Sequence, residues 1–196
     1  MTAKPPSVPP RLTREQYYEL GRLGLFDGKR VELIYGEVIE MSPIGWLHRV
    51  GTGRAADALE QAFAVGFFVD VQQPFAVLGG KPGSEPQPDV SVTLGARSDY
   101  TDHPTVAALL VEVADATLSY DLTTKAELYA TANVPEYWVL DVDNRQLHVF
   151  LDPQPLPLPP DLAATAYRTH LTLASTDHVS PLAAPNASIL VSDLLP

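Results

Sequence analysis

The run Val106-Ala107-Ala108-Leu109-Leu110-Val111-Glu112-Val113 is apolar throughout except for one carboxylate. So continuous an apolar stretch reads as a strand covered on both faces, which requires helices or loops on either side of its sheet. Glu112 then has no route to solvent, and a buried carboxylate must find hydrogen bonds, a cation or a metal. A matching anomaly follows between Thr117 and Ala132. At about 100° per residue, Leu118, Leu122, Tyr129 and Ala132 share one arc with Lys125 near its centre. Thr123, Thr124, Glu127 and Thr131 take the other, solvated side. A lone ammonium on a core-facing arc is costly unless carboxylates or an anion stand opposite it. The ordinary alternative is an exposed pair with Asp121, which contributes only about 0.3–0.5 kcal/mol; the central place of Lys125 on the arc argues against it.

These two anomalies sit in an alternating strand, helix, strand pattern. Residues 89 to 94 and 107 to 114 read as core strands, 118 to 132 as a crossover helix ended by Asn133 and Pro135, and Glu136 to Asp141 as the strand it leads to. Asp143-Asn144 turns the chain into an antiparallel partner from Gln146 to Leu151. Asp152 to Pro160 holds five prolines and reads as a surface loop. Ala166 to Leu173 alternates like an edge strand, and Val191 to Leu195 reads as a last helical turn. Upstream, Thr13 is an N-cap for a helix through about Leu23, with Gly24 to end it. A hairpin follows, Arg30 to Ile34 and Glu37 to Met41, turned by Tyr35-Gly36. A second helix runs from about Gly45 to Ala64 and stops at Gly66, then strands near Phe67 to Gln73 and Pro74 to Leu78, then a loop at residues 79 to 83. The expected architecture is an α+β domain over residues 11–196, a mixed sheet flanked by helices, with residues 1–10 a Pro-rich disordered tail.

With 13 basic and 24 acidic residues the net charge is −11. That charge opposes constitutive binding to a phosphate backbone unless positive charge is local or metal ions cover the acids. Asp99, Asp102, Asp141, Asp143, Asp152 and Asp161 read as solvated surface. Arg11, Arg14, Arg22, Lys29, Arg30, Arg49 and Arg54 concentrate in the first third, the place to look for a nucleic-acid surface. No apolar run approaches the roughly 18 residues of a membrane span, and the start lacks the apolar core of a signal peptide, so cytoplasmic residence is expected. Zero cysteines exclude disulfides, thiolate nucleophiles and cysteine zinc sites. Nucleotide-binding glycine loops, a GxSxG elbow and HExxH spacing are all missing. Hard oxygen donors remain, and Asp89 with Glu112 suits Mg2+ or Mn2+ rather than zinc.

Pro88-Asp89, then Glu112-Val113-Ala114, then Lys125 resembles the PD-(D/E)XK nuclease motif, with the lysine moved from the usual place, here Ala114, to the following helix. The wider pattern resembles the Uma-two family, which has a restriction endonuclease-like fold. It is carried by Val31-Glu32-Leu33-Ile34-Tyr35-Gly36-Glu37-Val38, Met41-Ser42-Pro43 with His48, Pro88-Asp89-Val90, Val111-Glu112-Val113, Asp121 with Lys125 and Tyr129, and Val134 to Asp141. Asp115-Ala116 departs from the family's usual Ser-Pro turn.

The resemblance implies a Mg2+- or Mn2+-dependent endonuclease acting on DNA. Asp89, Glu112, the Val113 carbonyl and Glu32 would be metal ligands; Asp89, Glu112, Lys125, Glu32 and His48 would be catalytic; Asp121 and Tyr129 would support them. Read without the resemblance, Asp89 is equally a strand-start acid, Glu32 a polar position of a half-buried hairpin, and His48 an ordinary core or surface histidine. The acidic charge and Ala114 also support a non-catalytic binding or assembly module. A homodimer joined through a sheet edge or the first hairpin is a third reading.

Overall fold

The computed structural model describes residues 11–63, 65–78, 83–156 and 165–196. Helix α1, Arg14–Arg22, opens on a capping box in which Thr13 and Gln16 satisfy each other's backbone N–H groups. Strands β1, Val31–Ile34, and β2, Glu37–Glu40, form a hairpin turned by Tyr35 and Gly36, both at positive φ. Helix α2, Trp46–Ala62, leads to Gly66 at φ 81°, after which β3, Phe67–Val71, begins the main sheet.

The sheet adds β4 (Val90–Leu94), β5 (Leu109–Ala114), β6 (Glu136–Asp141), β7 (Gln146–Pro155) and β8 (Thr165–Ala174), in spatial order β3-β4-β5-β6-β7-β8. Only β5 and β6 pair in parallel, as a helical crossover between them demands. That crossover is α3 (Leu118–Tyr120), a π-helical turn (Asp121–Lys125) and α4 (Ala126–Thr131). A two-stranded ribbon, β9 (His178–Val179) with β10 (Ile189–Leu190), and helix α5 (Val191–Leu194) close the chain.

Alternation along β5 divides the core. Val111 and Val113 face α2 and the C-terminal segment, packing with Ala55, Leu59, Trp138, Leu140 and Leu194. Leu110 and Ala114 face α4 and the hairpin, packing with Ile34, Leu128, Tyr129, Tyr137 and Phe150. Glu112 therefore points into the second layer. β5 is buried at every position, as its apolar run requires.

Several expectations are corrected. The crossover is not one α-helix: the π turn interrupts it, and its buried residues are the charged Asp121 and Lys125, while those of α4 are Ala126, Leu128, Tyr129 and Ala130. Pro74 to Leu78 is no strand beyond one bridge, Val77 to Ser84, because Gln72 turns to φ 53° and Pro74 has no N–H to donate. β7 continues past Leu151 to Pro155, paired with β8, where a loop was expected. Asp141 is buried rather than solvated, its carboxylate accepting from the backbone N–H (3.0 Å) and the amide (2.8 Å) of Asn144. The tail at 1–10, most of the glycine-rich loop, and Asp161 lie outside the described residues. Among those described, no helix is long and apolar enough to cross a membrane.

One glycine sets the distance between α2 and the sheet. A Cβ on Gly51 would lie 3.1 Å from Cγ1 of Val113 and 3.4 Å from Cδ2 of Leu140. Gly51→Val should therefore lower stability by about 1–3 kcal/mol through overpacking, read as a fall in the urea midpoint. An unchanged midpoint would show that α2 can move off the sheet freely.

Candidate active site

Strands β4 and β5 pair at Val90–Val111, Ser91–Leu110 and Val92–Leu109, and the ladder ends there. Asp89 takes over where the next rung would stand: its Oδ2 accepts from the Val113 N–H at 2.8 Å. Its Oδ1 accepts from Gln72 Nε2 at 3.1 Å and lies 2.8 Å from His48 Nε2. The parting strands open a cleft of about 300 Å3, lined among others by Glu32, His48, Gln72, Asp89, Glu112, Val113, Asp121 and Lys125.

On the α4 side, Lys125 Nζ lies 3.0 Å from Glu112 Oε1 and 3.2 Å from Glu32 Oε2. Tyr129, one turn further on, donates its hydroxyl to the same Glu112 oxygen at 2.7 Å. Glu32 also accepts from the Gln87 N–H at 3.2 Å. Asp121 accepts from Thr117 Oγ1 at 2.6 Å, and its carbonyl accepts from the Tyr137 hydroxyl at 3.0 Å, which anchors the π turn to β6.

Glu32, Asp89, Glu112 and Asp121 are all buried and face Lys125 and His48; with these six groups ionised they sum to 2 − 4 = −2, and the exposed Arg30, Glu40 and Asp115 also line the cleft. The titration behaviour reflects this. Burial pushes the Glu112 carboxyl well up; Lys125 pulls it down, but Asp89, Asp121 and Glu32 add to the rise. Burial likewise raises Asp121, against Lys125 and Thr117, to about 6. Burial works against the Lys125 ammonium, yet Glu112, Glu32 and Asp121 outweigh it and hold the pKa above its ordinary value. Burial also opposes charge on His48 and Asp89, but each favours ionisation of the other, so His48 is raised and Asp89 lowered.

All the residues singled out from the sequence thus line or adjoin one cleft, Tyr129 through Glu112. Val113 meets Asp89 through its N–H rather than its carbonyl. Gln72 was missed, and a glutamine at positive φ behind a strand carries no pattern that reveals it. Among the described residues, no group of three acidic or histidine side chains stands in metal-holding geometry. The acids are turned to Lys125, Tyr129, His48 and Gln72 instead.

The Uma2 family, described as "Putative restriction endonuclease", matches residues 14–180. The chain belongs to the Uma2 family. No curated protein matches this Uma2 chain. Its fold is similar to the crystal structure of a "putative nuclease belonging to DUF820" from Anabaena variabilis ATCC 29413, at 14% identity and a TM-score of 0.71, over 93% of this chain and 97% of that one. The six-stranded mixed sheet flanked by helices is therefore a restriction endonuclease-like α+β fold.

The raised Asp121 pKa makes a signed prediction. Folded Asp121 holds its proton more tightly than the unfolded chain, where the value is 3.8. Its ionisation therefore weakens the fold above about pH 6, and the penalty fades as pH falls toward 4. In metal-free buffer, Asp121→Asn, which can still accept from Thr117, should be more stable than wild type at pH 8 by about 1–3 kcal/mol. The gap should close below pH 6. A gap of constant size from pH 4 to 8 would rule out the buried charge as its cause.

Proposed function

We propose that this cleft is the active centre of a divalent-metal-dependent endodeoxyribonuclease. The observation that carries the reading is the charge deficit: four buried carboxylates around two cationic side chains leave room, electrostatically, for one divalent cation. The donors are hard oxygens, which fit Mg2+ or Mn2+. Asp89 and Glu112 would hold it, helped by the Val113 carbonyl and by Glu32, directly or through water. When bound, such an ion supplies a water of lowered pKa and positive charge at the phosphoryl oxygen. DNA as substrate follows from the family's description, not from any base-reading feature of the chain.

The protein's own groups have separate tasks. Lys125, fixed by Glu112 and Glu32, would orient the attacking oxygen and neutralise charge that develops on the phosphate. Tyr129 holds the Glu112 carboxylate, and burial keeps its phenol protonated as a donor. His48 and Gln72 hold Asp89. The buried setting strengthens each of these interactions relative to water.

A non-catalytic module is the competing reading, favoured by one observation: every site acid already has a protein partner. Nicking of supercoiled plasmid separates the two. Wild type should nick only with Mg2+ or Mn2+, Asp89→Ala should abolish it, and Lys125→Ala should slow it by about 10²–10³-fold. Thermal melts would confirm that the variants fold. Wild-type rates from Lys125→Ala would remove the lysine from the chemistry, and no nicking by wild type with any divalent ion would establish the module.

A further inference from the structure

Seven basic residues lie in the first third of the described chain, and five are engaged. Arg11 pairs with Glu37, Arg14 with Glu85, Arg22 with Glu19 and Lys29 with Glu40, while Arg54 donates to the Leu195 carbonyl. Arg30 and Arg49 have no ion pair or side-chain hydrogen bond among the described residues, and both are exposed. Arg30 lines the cleft, and Arg49 follows the cleft residue His48. Between them in sequence runs a rim whose apolar side chains face solvent: Ile44 at the cleft, then Trp46, 72% exposed, and Leu47. Trp46 and Arg49 stand three residues apart on α2, close enough to act on one ligand.

The electrostatic grip of a protein on duplex DNA grows with the number of phosphates its basic side chains neutralise. Among the described residues of the first third, the two unengaged arginines, Arg30 in the cleft lining and Arg49 next to His48 in sequence, supply little of that in a chain with net charge −11. The exposed indole that lies between them in sequence can supply a different term, since base stacking on an aromatic ring needs neither a groove nor a sequence. We infer that the Ile44–Arg49 rim is a stacking surface for an unpaired nucleobase, with Arg30 and Arg49 on the flanking phosphates. The substrate of the site is then single-stranded or locally unpaired DNA rather than intact duplex. This rests on the nuclease reading for its choice of strand, and binding without cleavage tests it separately.

Trp138, the other tryptophan, is fully buried, so quenching by an added ligand reports Trp46. With EDTA present, a twelve-residue oligothymidylate should quench that emission saturably, and a duplex of equal length should bind at least about tenfold more weakly. An abasic strand of the same length should leave the emission unchanged. Trp46→Ala, followed by anisotropy of a labelled strand, should weaken binding roughly 5- to 100-fold. Arg49→Ala should reduce the slope of log K against log salt by about 0.7. Equal affinity for duplex, unchanged affinity in Trp46→Ala, or no binding by wild type would overturn the inference. So would sedimentation showing self-association that Trp46→Ala abolishes, which would assign the rim to a second copy of the chain. Nicking is scored apart: a chain that binds through Trp46 but never nicks keeps the rim and loses the hydrolysis, whereas nicking with Trp46-independent binding keeps the hydrolysis and loses the rim.

Discussion

Lys125 between Glu112 and Glu32 is the contact on which the cleft depends. Each group alone would be untenable where it lies, since an unpaired buried charge costs several kcal/mol. Together they tie three separately folded pieces, the hairpin, the central strand and the crossover helix, to one point. Tyr129 adds a hydrogen bond to the same Glu112 oxygen from one turn further along. Apolar packing of the α4 layer stabilises this region without fixing the direction of any one contact. The ion pairs fix where α4 and β1 stand relative to β5.

The second half of the cleft is a backbone device. Antiparallel strands β4 and β5 stop pairing after Val90 and Val111, and Asp89 replaces the missing rung with its own carboxylate. This leaves the other carboxylate oxygen for His48 and Gln72 and opens the space between strands. Gly51 lets α2, the helix that carries His48, lie close against Val113 and Leu140 of the sheet. An acid at a strand end and a close-packed glycine on a helix are thus parts of one arrangement.

Glu112 and Lys125 were legible because each breaks an apolar pattern, and a broken pattern has few physical explanations. The first hairpin, α1 and the β5–β6 crossover were legible for the same reason: turn and cap residues sit where the periodicity changes. What stayed hidden depends on neighbours distant in sequence. Asp141 looks like a surface acid until Asn144 folds back over it. Asp152 carries a positive φ that lets β7 continue through a proline-rich stretch, which composition alone reads as a loop. The π turn is anchored by Tyr137 on the next strand, and a step of 100° per residue cannot anticipate it. For Glu32 and His48 a site role came only from the family motifs, because their local sequence fits ordinary positions equally well.

The central claim is that the cleft, short of positive charge, takes up one divalent cation in place of protons. Titration calorimetry with Mn2+ at pH 6 and pH 8, in buffers of different ionisation enthalpy, tests it directly. The account predicts one Mn2+ per chain, tighter binding at pH 8 than at pH 6, and proton release at pH 6, where Asp121, raised to about 6 by burial, still holds part of its proton. No binding at millimolar Mn2+, or an affinity that does not change with pH, would contradict it.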